Sequence, residues 1–114
     1  MDLAEQRCEP SQIGGSPMPR DEAEKLARQV PEWKLDDKEI HREVRFKDFR
    51  EAIDFVLKVA DIAEERGHHP DITISYNVVK LSLMTHKVGG LTRNDFILAA
   101  KIDRLIGGRV KEAV

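Results

Sequence analysis

The chain has 114 residues, 40% hydrophobic and 35% charged, enough for one packed core and too few for two independent ones. Lysine and arginine number 19 against 21 acids, a formal net charge of −2, without the basic excess of a nucleic-acid or anionic-membrane binder. The single cysteine, Cys8, cannot close an internal disulfide and has no neighbour that would activate it. Asp2, Glu5 and Arg7 stand where a signal peptide needs apolar residues, and the longest apolar run, Phe96 to Ala100, is far short of the roughly 20 residues of a membrane span. A cytoplasmic protein with no direct nucleic-acid or membrane partner is expected.

Residues 1–20 contain Pro10, Gly14, Gly15, Pro17 and Pro19 and few large apolar side chains, which reads as an irregular, loosely held arm; residues 21–114 read as a single domain. Asp21 to Gln29 has acids in its first turn and Ala23, Leu26 and Val30 at helical spacing, and is stopped before Pro31. From Trp33 to Phe46 the period falls to two, with Ile40, Val44 and Phe46 on one side and His41, Glu43 and Arg45 on the other, a hairpin turning near Asp36-Asp37-Lys38.

Asp48 to Glu65 returns to helical spacing, with Phe49, Ala52, Ile53, Val56, Ala60 and Ala63 as its apolar stripe, Asp48 as its cap and Gly67 as its stop. Ile72, Ile74 and Tyr76, then Val79, Leu81 and Leu83, form a second alternating pair reversing at Asn77. Gly89-Gly90 breaks the chain. Thr92 and Asp95 can cap a last helix whose stripe of Leu98, Ala99, Ile102, Leu105 and Ile106 ends at Gly107-Gly108. The order α-β-β-α-β-β-α predicts an α+β domain, a four-stranded antiparallel sheet with three helices packed on one face.

Of the four histidines, His41 sits on the polar side of a strand and the other three converge. If the second hairpin turns on Asn77-Val78, counting outward from Tyr76 and Val79 sets His69 opposite His86; a register shorter by one residue sets His68 there. Either version gathers a cluster at the hairpin's open end, near Gly67 and Gly89-Gly90, where a cleft can form. Imidazole, with an unperturbed pKa of about 6.5, gives and takes protons near neutrality, so clustered histidines without a nucleophile suit an elimination or tautomerisation needing no cofactor. A metal site of His68, His69, His86 and a carboxylate from Glu64 or Asp95 ranks lower, because adjacent residues in extended chain point to opposite sides. Taken singly, each residue has a plainer structural reading. Histidines after a helix favour its negative end, Glu64 is a solvated last-turn residue, and Asp95 is a helix cap that only incidentally orients His86.

The run Glu64-x-x-x-His68-His69-Pro70, then Tyr76, Thr85-His86 and Asp95 resembles the signature of the pterin-4a-carbinolamine dehydratase family. The resemblance extends from about Asp21 to Ile106, through Pro31-Glu32-Trp33 and Phe46-Lys47-Asp48-Phe49. It implies a hydro-lyase that removes water from 4a-hydroxytetrahydrobiopterin to give quinonoid dihydrobiopterin, in recycling the pterin used by aromatic amino acid hydroxylases. By that resemblance His68 is the leading general acid, His86 a second acid or base, and His69 positions the pterin. Glu64 and Asp95 support them, and Gly67, Met84, Thr85 and Lys87 join the histidines in contacting the substrate. No cofactor or metal is implied, and a homodimer or homotetramer is. Some family members also act as dimerisation cofactors for a transcription factor and some degenerate relatives assist enzyme assembly, the alternative function. Two positions depart from the family: Gly67 replaces a polar residue, and Ile72 stands where an aromatic often follows the proline.

Overall fold

The Asp48 carboxylate accepts the Glu51 backbone N–H at 2.9 Å, starting a helix where an acid precedes the apolar stripe. This computed structural model describes residues 3–5 and 17–113. They form a 3-10 turn (Leu3–Glu5), α1 (Arg20–Ala27), β1 (Lys34–Leu35), β2 (Ile40–Arg45), α2 (Phe49–Arg66), β3 (Asp71–Ser75), β4 (Val78–Leu83) and α3 (Arg93–Ala113). Apart from the short N-terminal turn, the order is the expected one. The strands form one antiparallel sheet in the order β1-β2-β4-β3. Cys8 lies outside the described residues.

Period-two alternation gives the sheet one apolar face. Ile40 pairs with Leu83, Val44 and Ile74 both oppose Val79, and Ile72 opposes Leu81, so these side chains share a side. Ile40, Val44, Val79, Leu81 and Leu83 join Phe96, Leu98 and Ile102 of α3 and Phe55 and Val59 of α2 in a single buried cluster, with Ile72 packed against it. The rings of Phe46 and Phe55 lie 4.9 Å apart in a tilted contact. The N-terminal stretch also contributes. Leu3 and Ala4 are buried, and Lys101 Nζ on α3 donates to the Ala4 carbonyl at 2.5 Å.

Three local expectations are corrected. On α2 the core residues are Ala52, Phe55, Val59 and Ala63, while Phe49 is 51% and Leu57 60% exposed. The helix is apolar over a wide arc, and spacing alone did not select which edge of it turns inward. The last helix runs through Gly107 and Gly108 to Ala113. Glycine weakens a helix without terminating it, and the helix formers that follow carry it on. The second hairpin turns on Tyr76-Asn77, with Ser75 opposite Val78. Asn77 is held by Phe46 at both groups, its side-chain amide donating to the Phe46 carbonyl at 2.9 Å and its own carbonyl accepting the Phe46 N–H at 2.7 Å. That tether selects the reversal and leaves Tyr76 at φ 54, exposed, in a conformation a non-glycine residue adopts chiefly in turns.

Arg42 shares the inner side of β2 with Ile40 and Val44, where a charge needs a partner. Asp103 of α3 supplies it, receiving Arg42 Nη1 at 2.7 Å and the Trp33 indole N–H at 2.7 Å on the same oxygen. Burial pushes the Asp103 carboxyl above its ordinary value of 3.8, against the lowering effects of Trp33 and Arg42. The folded chain therefore holds this proton more tightly than the unfolded chain. Its contribution to stability is full below 3.8 and is lost as pH rises through the raised value. Thermal melts of wild type and Asp103→Asn are expected to show the wild type's relative stability falling between pH 3 and pH 7; a relative gain would mean that Arg42 and Trp33 outweigh burial.

Candidate active site

The end of α2 aims the histidine pair. Gly67 adopts the left-handed conformation, φ 65, with its N–H on the Ala63 carbonyl, and the His68 N–H reaches the same oxygen at 3.2 Å. Short polar residues also enter this region, so the glycine here and the polar residue expected there suit one backbone shape. Beyond it the chain is extended and the two imidazoles diverge. His68 Nε2 lies 2.6 Å from Asp95 Oδ1, with that carboxylate wholly buried, whereas His69 Nε2 lies 2.5 Å from Glu64 Oε2 with both side chains exposed. Among the described residues no group of three or more His, Cys, Asp and Glu side chains is placed to hold a metal ion.

Asp95 is both cap and anchor. Its Oδ2 accepts the Thr92 backbone N–H at 2.9 Å, and its own N–H reaches the Thr92 carbonyl at 3.1 Å, closing the first turn of α3. The same Oδ2 accepts the Thr85 hydroxyl at 2.9 Å. Its ring partner is His68; the expectation of His86 in that place is corrected. Thr85 is only 3% exposed. It opens a tight turn that closes by paired backbone bonds to Gly90, the Thr85 N–H to the Gly90 carbonyl at 2.8 Å and the Gly90 N–H back at 3.3 Å. His86 and Lys87 are exposed at the tip of that turn, and Met84 is half-buried before it. A Cβ on Gly90 would stand 2.7 Å from Pro17 Cβ, so this turn tolerates no side chain there.

The histidine segments therefore come together by a route different from the expected one. The β3-β4 pairing ends at Asp71 opposite Ser82. Continuing the observed count sets Thr85, not His86, opposite His68, and the link between the segments is Asp95. His86 follows Thr85 directly, its Cα about 3.8 Å along the chain. A cleft of about 280 Å³ beside the turn has Gly89, Gly90, Leu91, Met18 and Leu35 among its walls and none of the three histidines, so it is not the hollow expected between them. His41 stays apart, opposite Lys34 and Ser82 on the outer side of the sheet. The sequence reading missed the hydroxyl pair Thr85 and Thr92, whose oxygens lie 2.7 Å apart; only the Thr92-x-x-Asp95 spacing hinted at it.

Residues 16–105 match the family described as Pterin 4 alpha carbinolamine dehydratase. The chain belongs to that family. It is a family of hydro-lyases, and this chain is an enzyme of that class. Among its relatives is a protein of Rubrobacter xylanophilus, provisionally named pterin-4-alpha-carbinolamine dehydratase, 47% identical over 105 residues that cover 91% of this chain and 98% of the relative. Another, with the same provisional name, comes from Halorhodospira halophila and is 46% identical over 107 residues, 92% of this chain and 98% of the relative. A crystal structure from Brucella melitensis, titled transcriptional coactivator/pterin dehydratase, is similar with a TM-score of 0.74 and 32% identity over 79% of this chain and 98% of that one. Among the described residues no helix is long and apolar enough to cross a membrane.

A Cβ on Gly67 meets nothing within 4 Å, so Gly67→Ala strains only the backbone. It is expected to cost about 1 kcal/mol, read as a lower urea midpoint with an unchanged slope; an unaltered midpoint would deny the left-handed cap.

Proposed function

We infer that this chain dehydrates 4a-hydroxytetrahydrobiopterin to quinonoid dihydrobiopterin and water by histidine acid-base catalysis, with His68, His69 and His86 as the working imidazoles. The observation that carries the reading is the Asp95 carboxylate, which holds the His68 ring by one oxygen and the residue before His86 by the other. With Nε2 of His68 committed to Asp95, Nδ1 is the atom left for substrate. In the doubly protonated ring the Nδ1 proton passes to the 4a-hydroxyl while Nε2–H stays on Asp95, the C4a–O bond breaks and its electron pair leaves with the oxygen as water. The N5 lone pair then forms the C4a–N5 double bond, and the N5 proton goes to His86, which stands exposed and returns it to solvent. His69, held toward Glu64, positions the pterin together with Gly67, Met84 and Lys87. Tetrahydrobiopterin recycling beside aromatic amino acid hydroxylases, in the cytoplasm, is the setting this chemistry serves.

The assay is the decay of the carbinolamine absorbance. Wild type is expected to accelerate it well beyond the spontaneous rate, and no acceleration would end the proposal. His68→Ala and His86→Ala are each expected to lower kcat by about 10²- to 10⁴-fold, as the loss of a general acid or base does; a fully active double variant would remove both from the mechanism.

The alternative, a protein-binding assembly cofactor, draws on the coactivator title of the Brucella melitensis protein. A stoichiometric protein partner bound to a chain inactive on the pterin would favour it. In either role a homodimer or homotetramer is proposed, because β3 leaves one edge unpaired and Phe49 and Leu57 stand exposed on α2. Sedimentation is expected to give a multiple of 13.0 kDa, and a species of monomer mass alone would contradict this.

A further inference from the structure

The hydroxyls of Thr85 and Thr92 have no part in the proton transfers just described, yet that of Thr85 is bonded to Asp95 and that of Thr92 to Thr85. Thr85 Oγ1 lies 2.9 Å from Asp95 Oδ2 and 2.7 Å from Thr92 Oγ1. A hydroxyl has one proton to give, and a carboxylate only accepts. Thr85 therefore donates to Asp95, and the 2.7 Å contact must be Thr92 donating to Thr85. The direction is settled along the whole chain of bonds, Thr92 to Thr85 to Asp95. With the Thr92 backbone N–H and His68 Nε2, three donors fall on one buried carboxylate, two on Oδ2 and one on Oδ1.

We propose that Thr85, backed by Thr92, is a positioning residue for the dehydration. Its hydroxyl fixes the rotation of the Asp95 carboxylate, which in turn keeps one His68 proton on Nε2 and turns Nδ1, the nitrogen that takes up and gives the catalytic proton, to the substrate. This rests on the function inferred above and changes the part given to Thr85. The family resemblance makes it a substrate contact, but the residue is 3% exposed and its hydroxyl is directed at Asp95. The same hydrogen bond ties down the start of the turn that carries His86, whose backbone is closed by Gly90. One hydroxyl thus sets the ring orientation of His68 and the spacing of His86 from it. Without it Oδ2 keeps only the Thr92 N–H, the carboxylate is free to rotate, and Oδ1 no longer holds one direction for the imidazole.

Thr85→Val preserves volume and removes the hydroxyl; Thr85→Ser keeps it. Thr85→Val is expected to lower kcat about ten- to hundredfold, as the loss of a hydrogen bond to a charged group does, with KM nearly unchanged, and Thr85→Ser to restore kcat to within about threefold of wild type. A raised KM at unchanged kcat would make Thr85 a substrate contact and overturn the proposal, as would a serine variant no better than valine.

Nitrogen-15 NMR of His68 at alkaline pH reads the tautomer directly and needs no substrate. Wild type and Thr85→Ser are expected to show protonated Nε2 and bare Nδ1, and Thr85→Val a mixture. A wild-type ring protonated at Nδ1 refutes the relay even where Thr85→Val fails to fold. A correct tautomer in a wild type without dehydratase activity would instead place the fault in the inferred reaction.

Discussion

The Asp95 carboxylate is claimed by three stretches of chain that have little else to hold them in common. His68 comes from the exit of α2, Thr85 from the end of β4, and Thr92 from the residue that starts α3. A buried carboxylate is costly unless its lone pairs are met, and here each oxygen is. The cost of leaving any donor out makes the arrangement cooperative: the helix start, the histidine-bearing turn and the imidazole orientation form together. The rest of the fold brings these stretches within reach, with the apolar sheet face under α2 and α3 setting the distance between them.

The two adjacent histidines show how one extended dipeptide serves two environments. His68 meets a carboxylate with no solvent access, where charge-assisted bonding is strong and directional. His69 meets Glu64 in the open, where water and salt screen the pair and its energetic weight is small. The inner imidazole is thereby held in one orientation, while the outer one stays free to adjust to what it touches. Alternation along an extended chain, the simplest rule of strand geometry, produces that division without any special loop.

Much of this was legible in the residues. Asp48 with Glu51, Gly67 after the apolar stripe and Thr92 with Asp95 are short-range signals whose geometry is local, and each acts as expected. The periods of two and 3.6 fixed the element order. What escaped was decided at long range. The hairpin turns on Tyr76-Asn77 because Phe46, 31 residues earlier, holds Asn77, and no pattern within the hairpin records that bond. Phe55 and Val59 point inward on α2 because the sheet lies there, although the opposite edge of the same arc is nearly as apolar. The three histidines read as a cross-strand cluster; the bonds in the structure run instead through an aspartate ten residues beyond Thr85, on another element.

Because Asp95 closes the first turn of α3 as well as gripping an imidazole, it is subject to two kinds of selection at once. Under the proposed mechanism, a lineage that gives up the chemistry can shed His86 or His69 from the surface with little harm to folding. The aspartate in the interior is expected to persist long afterwards as scaffolding, a residue whose retention in a descendant says nothing about whether that descendant still turns over substrate.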